Sequence, residues 1–242
     1  MKNVWYKKYW QIGFVSRLYD LLAPEAYRDC LRRGVEHVSD GRVLFDAGCG
    51  SGLLLSFLQD RLKVNCRYVG ADILWSGASV TKRKLEKTGL MERAWVFQSD
   101  LMNAIPLKEN SVDVVFAFFL VYTLGDTGKR KKLMRNLRRI LKPGGKLIIV
   151  NPSRNYNARN IIRVSLEDIR QRNGFIRYWV KKWFVYPWTL RLGLDYVESQ
   201  IKTRAWHAYT QDELCAEVRE GGFAVKHLEA VYADSAYLVV AE

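Results

Sequence analysis

The residues best placed to do chemistry fall in one run of ten, Val43-Leu44-Phe45-Asp46-Ala47-Gly48-Cys49-Gly50-Ser51-Gly52. An apolar stretch suited to a buried strand passes through glycines at every second position and on into an amphipathic stretch suited to a helix. Such a turn cradles a ligand. Glycine takes up positive φ and lets the backbone approach closely, and a helix start offers free N–H groups carrying about half a positive charge. A dinucleotide fingerprint would need glycine at the first, third and sixth positions, but counting from Gly48 the sixth is Leu53. Asp46, just ahead of the turn, also argues against a dinucleotide: an acceptor-only carboxylate repels a pyrophosphate and suits an ammonium, held directly or through water. Beyond the turn, Asp72 closes the run Val69-Gly70-Ala71-Asp72, where a carboxylate can accept from both hydroxyls of a ribose. A third carboxylate, in Gln98-Ser99-Asp100-Leu101, could take an adenine amino group, with Ile73 and Leu101 as apolar walls for the ring. Any one of these aspartates could simply cap a following helix or turn. Three of them at successive strand ends point instead to an adenosyl group that carries a cation.

The elements that must position these groups alternate along the chain. Short β-branched runs at 42–46, 67–72, 94–98, 112–118 and 146–150 read as strands, and amphipathic runs at 53–61, 75–88 and 127–141 read as the helices between them. Lys142-Pro143-Gly144-Gly145 stops the last helix. Near the C-terminus, 223–232 and 236–240 read as strands joined by Ala233-Asp234-Ser235, too short for a crossover helix, so they must pair antiparallel. The expected fold is α/β: a Rossmann-like, seven-stranded, mostly parallel sheet with a C-terminal antiparallel hairpin. The chain divides into a helical N-terminal cap (1–41), a cofactor-binding core (42–150), an aromatic and basic helical insertion after strand five that serves as a substrate lid (151–206), and the C-terminal part of the core sheet (207–242).

Asp46-x-Gly48-x-Gly50-x-Gly52, Asp72, Asp100, the strand Val112-Asp113-Val114-Val115 and Leu141-Lys142-Pro143-Gly144-Gly145 together resemble the motif series of class I methyltransferases that use S-adenosylmethionine (SAM). The likeness covers about residues 40–150 and is nearest to the small-molecule branch that includes the ubiquinone and menaquinone methyltransferases. It implies SAM as cofactor, S-adenosylhomocysteine as product, and SAM contacts at Asp46, Gly48, Cys49, Gly50, Gly52, Asp72, Ile73, Asp100, Leu101 and Phe118. That branch often has His after the fourth strand and Glu after the fifth; this chain has Tyr122 and Asn151.

Methyl transfer from a sulfonium is an in-line displacement, for which alignment alone can reach effective molarities of roughly 10⁵ to 10⁸ M, so no fixed catalytic residue is required. Two candidates stand out: His207, a base with a pKa near neutrality, and Tyr19, whose Tyr19-Asp20 pair resembles one in the quinone enzymes. Amino-methylating nucleic-acid enzymes carry an Asn or Asp-Pro-Pro-aromatic motif after the fourth strand, where this chain has Phe116-Ala117-Phe118-Phe119. No cysteine follows a proline, as the nucleophile of pyrimidine-carbon enzymes does. A small, lipophilic acceptor is therefore expected: a quinone precursor, a lipid or a secondary metabolite. The alternatives are an RNA methyltransferase, or a SAM-binding protein without catalysis.

In the insertion, seven of the 14 residues from Phe175 to Trp188 are aromatic, with Arg177, Lys181 and Lys182 interleaved. On an α-helix Phe175, Trp179, Trp183 and Tyr186 form one stripe, with Arg177 and Lys181 on another face. Such a helix suits a membrane interface or a lid, and equally a stripe packed on the core. The first residues repeat the theme with Trp5, Tyr9 and Ile12 beside Lys7 and Lys8. The net charge of +14, from 39 Lys and Arg against 25 Asp and Glu, favours anionic membranes and nucleic acid alike, and also fits a solubilising surface. The four cysteines show neither zinc-ligand nor disulfide spacing, and no apolar run reaches membrane-spanning length. A cytoplasmic protein, peripheral to the membrane and without a bound metal, is expected.

Overall fold

The computed structural model describes residues 18–40, 42–103, 105–172 and 174–242. Seven strands, β1 (Val43–Ala47), β2 (Arg67–Asp72), β3 (Ala94–Gln98), β4 (Val112–Phe118), β5 (Leu141–Pro152), β6 (Val225–Val231) and β7 (Ala236–Ala241), form one sheet in the order β3-β2-β1-β4-β5-β7-β6. The first five are parallel, and β7 runs antiparallel between β5 and β6. The sheet thus winds outward in both directions from β1, and the switch point lies between β1 and β4. The crevice outside the carboxyl ends of the strands at such a point is where open α/β sheets take their ligands.

Helices cover both faces: α1 (Leu18–Leu22), α2 (Glu25–Glu36), α3 (Leu55–Val64), α4 (Trp75–Thr88), α5 (Thr127–Ile140), α6 (Ala158–Arg172), a continuous helical run α7 at 175–202, and α8 (Gln211–Glu220). Strand alternation splits the core in two. Leu44, Phe116 and Ile148 face a cluster with Leu31 and Val35 of α2 and Ile161 of α6, whereas Phe45, Val115 and Leu147 face Leu133 and Leu137 of α5 and Leu214 of α8. Local sequence starts the last two of these helices: Asp126 accepts from the Lys129 N–H at 2.8 Å, and Thr210 and Glu213 form a reciprocal capping box.

The expected β2, β3, β4 and α4 agree with the structure residue for residue. Two expectations need correction. Lys142-Pro143-Gly144-Gly145 does not separate α5 from β5: Leu141 is already extended and pairs with Val112, so the tetrapeptide lies within an irregular strand start, with Gly144 at φ +71°. The chain from Gly52 to Leu54 is likewise consumed in the turn, so α3 begins at Leu55.

The second correction concerns the aromatic stripe. In α7 the segments Lys181–Val185 and Leu190–Leu194 are π-helical. The first of them breaks the stripe, so that Tyr186 is 1% exposed while Phe175 and Trp183 are 75% and 62% exposed. Lys181, expected on a solvent face, is buried and donates to the Leu21 carbonyl at 2.7 Å.

Candidate active site

The glycine-rich turn leaves β1 with Gly48, Gly50 and Gly52 all at positive φ (79°, 52° and 70°), a conformation an L side chain resists. The N–H groups of Gly48 and Cys49 both donate to the Ala71 carbonyl of β2, at 2.8 and 3.0 Å. Space also demands glycine. A Cβ on Gly52 would lie 2.7 Å from the Thr81 hydroxyl, which itself donates to the Gly50 carbonyl at 2.9 Å. From the other side Ser51 donates to Asp20 of α1 at 2.8 Å, and Lys84 of α4 pairs with the same carboxylate. The turn is therefore held rigidly by α1 and α4, a preformed cradle.

Asp72 is buried at the tip of β2, with one oxygen accepting from the Gly50 N–H at 2.9 Å and the other from the Leu74 N–H at 2.8 Å. Burial raises its pKa against these two bonds. An ionised carboxylate has about four acceptor positions, so two are left for a hydroxyl pair. Asp46, also buried, accepts from the Tyr68 hydroxyl at 2.7 Å. Burial, resisted by that bond and reinforced by Asp72, pushes its carboxyl up to about 7. Asp100 follows β3, accepts from the Met102 N–H at 3.0 Å and stays partly exposed. Leu101 is buried, and Ile73 is 42% exposed, an apolar surface left open beside Asp72. Cys49 is buried, and burial raises its thiol pKa well above the ordinary range, so it acts as a small apolar group.

Phe118 is not brought to the turn. Its ring stacks on Phe116 and would lie 2.5 Å from a Cβ on Gly34, so it packs under α2 in the core. Leu120 lies 3.2 Å from a Cβ built on Gly48. Strand alternation puts Phe118 on the α2 face with Phe116, and beyond Phe119, at φ +49°, the chain swings over the turn.

Sequence reasoning also missed an aromatic wall beside the carboxylates. Phe119 sits 5.4 Å from Tyr27 of α2, 5.1 Å from Tyr232 in the β6–β7 turn and 6.3 Å from Tyr122, which is itself 5.2 Å from Trp206. Tyr27 joins the wall to the carboxylates: burial, then the charge of Asp46, raises its phenol pKa. The signal was hidden because Tyr232, Ala233 and Asp234 are all in the left-handed region, a turn no local propensity announces. Under this wall lies Asn151, fully buried, whose Oδ1 accepts from the Tyr122 N–H at 3.1 Å. The two positions that differ from the quinone-enzyme pattern are therefore in contact. The Asn151 Nδ2 is a buried donor with no partner among the described residues.

His207 is anchored through its N–H to the Tyr122 carbonyl at 2.9 Å, but its ring stands edge-on to Tyr209, 4.4 Å away. Burial, then Arg130, lowers its pKa. Tyr19 lies on α1, but its side chain, like Trp5, Lys7, Lys8, Tyr9 and Ile12, falls outside the described residues. Among the described residues the only His, Cys, Asp and Glu group spaced for a metal is His37, His227 and Glu229, at the opposite, amino edge of the sheet, where Glu229 is already paired with Arg33.

These donors fit SAM: side-chain-free backbone for the methionine portion, carboxylates for ammonium and ribose, and an open apolar wall for adenine. Comparison with known proteins agrees. Residues 45–149 match the family described as "Methyltransferase domain". The chain is similar to the tRNA (carboxymethyluridine(34)-5-O)-methyltransferase of Arabidopsis thaliana, 28% identical over 56% of this chain and 32% of that protein. It is also similar to the ubiquinone/menaquinone biosynthesis C-methyltransferase of Enterobacter sp. (strain 638), 27% identical over 48% of this chain and 45% of that one. The match thus spans less than half the length of these relatives. A SAM-dependent methyltransferase from Aquifex aeolicus shares the fold, with TM-score 0.60, 18% identity and coverage of 91% of this chain and 90% of that one.

Proposed function

We propose, on the premise that this chain is built on a class I SAM-dependent methyltransferase domain, that it transfers a methyl group to a small, lipophilic acceptor. The observation that carries the choice of acceptor is the aromatic wall of Tyr27, Phe119, Tyr122 and Tyr232, whose Tyr27 feels the charge of Asp46. A flat or apolar acceptor is bound by such rings through area and stacking.

When bound, SAM supplies an electrophilic methyl on its sulfonium. Asp72 accepts from the ribose, Asp46 holds the ammonium, Asp100 takes the adenine amino group, and Ile73 and Leu101 flank the ring. The backbone of Gly48, Gly50 and Gly52 gives the cofactor room to lie close to β1. Tyr156 and Trp206 of the 151–206 insertion complete the acceptor side and exclude water. His207, kept neutral by burial, is the base for a hydroxyl acceptor, and such a base contributes roughly 10²- to 10⁴-fold.

A second reading, an RNA acceptor, draws on α5, where Lys129, Lys131, Lys132 and Arg135 are exposed, and on the tRNA enzymes among the relatives. Transfer of a labelled methyl group to a lipid extract and an RNA extract, run side by side, separates the readings. Label in the lipid fraction is the expected result. Label confined to RNA overturns the lipophilic acceptor. No label in either, with S-adenosylhomocysteine still bound, identifies a binding protein.

A further inference from the structure

The outward face of α7 is an exposed apolar feature that no part of the active site uses. Exposed positions recur in pairs at 175/176, 179/180, 183/184, 187/188 and 191/192, and nine of these ten residues are apolar. The period is four, which neither helix type gives alone. Sixteen α-helical steps of about 100° would leave Leu192 about 160° out of phase with Ile176. The two π segments, with i→i+5 bonding, turn each residue by only roughly 80° and bring the pairs back onto one line. Ile176 is 79%, Phe184 73% and Trp188 55% exposed. Soluble monomers rarely expose so continuous an apolar stripe without a partner for it.

Charge selects the partner. From Phe175 to Leu192 there is no acidic residue, and of the four basic ones Lys182 and Arg191 are left at the stripe, while Lys181 is buried and Arg177 pairs with Glu25. Lys182 lies over the rings of Trp179 and Trp183, at 5.0 and 5.6 Å from their centroids, and Arg191 is exposed within the stripe. A second copy docked about a two-fold axis would set these cations against their own kind, whereas an anionic lipid surface meets both the rings and the charges. Tryptophan and lysine together suit the headgroup level of a bilayer. No described helix is long and apolar enough to cross a membrane, and the other side of α7 is buried in the protein. The stripe can only lie on a surface.

We propose that the outward face of α7 docks this protein onto an anionic lipid bilayer, with Trp183, Phe184 and Trp188 at the acyl–headgroup boundary. The docked face is one helix from the cofactor cradle: Lys181 and Thr189 of α7 hold the Leu21 and Leu22 carbonyls of α1, whose Asp20 bonds Ser51 of the turn. Docking therefore sets the active site beside the lipid surface.

The test is co-sedimentation with vesicles of phosphatidylcholine alone and of phosphatidylcholine mixed with phosphatidylglycerol, titrated with salt, with sedimentation equilibrium on the protein by itself. Partitioning at least about tenfold stronger onto the anionic vesicles, weakening with salt, is expected. Trp183→Ser combined with Phe184→Ser, at positions more than 60% exposed and so tolerated by the fold, should lower partitioning by about tenfold or more while leaving S-adenosylhomocysteine affinity unchanged. Lys182→Glu with Arg191→Glu should remove the preference for anionic lipid. Absence of binding to anionic vesicles, or equal binding by the Trp183 and Phe184 variant, overturns the proposal. So does self-association that this variant abolishes while vesicles are ignored, which would assign the face to a second copy.

Discussion

Asp46 and Asp72 are both buried carboxylates beside the same turn, yet they differ in what satisfies them. Asp72 accepts two backbone N–H groups, whereas Asp46 accepts only the Tyr68 hydroxyl and has its pKa raised to about 7. An ammonium binds the ionised form of Asp46, so affinity for SAM should fall as pH drops through 7. Calorimetry is expected to show binding about tenfold weaker at pH 6 than on the plateau reached above about pH 8, and Asp46→Asn should flatten that profile. In the ligand-free protein the sign reverses. A raised carboxyl pKa favours the fold while Asp46 is protonated, and the contribution is lost as pH rises from the ordinary carboxylate range to about 7. The cradle itself was legible in the sequence, because glycine spacing and strand-end aspartates are local signals. The aromatic wall was not. Tyr27, Phe119 and Tyr232 lie about 90 to 200 residues apart and meet only through the folded sheet.

Among the elements, the loop after β4 links the glycine turn to the aromatic wall, since Leu120 lies beside Gly48 and Tyr122 donates its N–H to Asn151. A buried ion pair anchors it. Arg130 of α5 reaches Glu217 of α8 at 2.9 Å and donates to the Leu124 and Gly125 carbonyls at 3.1 Å, and the Tyr209 hydroxyl donates to Glu217 at 2.9 Å. Glu217→Ala leaves a buried guanidinium without its counter-ion, and denaturant unfolding should report a loss of about 3 to 5 kcal/mol. Glu217→Gln, which keeps an acceptor, should cost less. Helix α7 shows where reading by element fails. A pure 3.6-residue period placed Tyr186 with Phe175 and Trp183; the two π segments set the period to four, and the first of them turns Tyr186 inward, where its hydroxyl accepts from the Glu25 N–H at 3.4 Å.

At the scale of the whole molecule, a parallel sheet wound outward from β1 sets glycine turn, carboxylates and aromatic wall along one edge, and α1 links that edge to the outward face of α7. The fold class follows from alternating βα units and a closing hairpin, features the sequence carries plainly, whereas the strand order is set by how those units pack. What covers the acceptor side depends on long-range packing of the 151–206 insertion, which no local pattern encodes. The central claim is that the tips of β1, β2 and β3, with the glycine turn, grip an adenosyl sulfonium. A crystal structure with S-adenosylhomocysteine tests it most directly. The expected result places the ribose hydroxyls on Asp72, the amino group toward Asp46 and the adenine beside Ile73 and Leu101. A crevice left empty at saturating ligand, or an adenosyl group bound elsewhere on the protein, would contradict it.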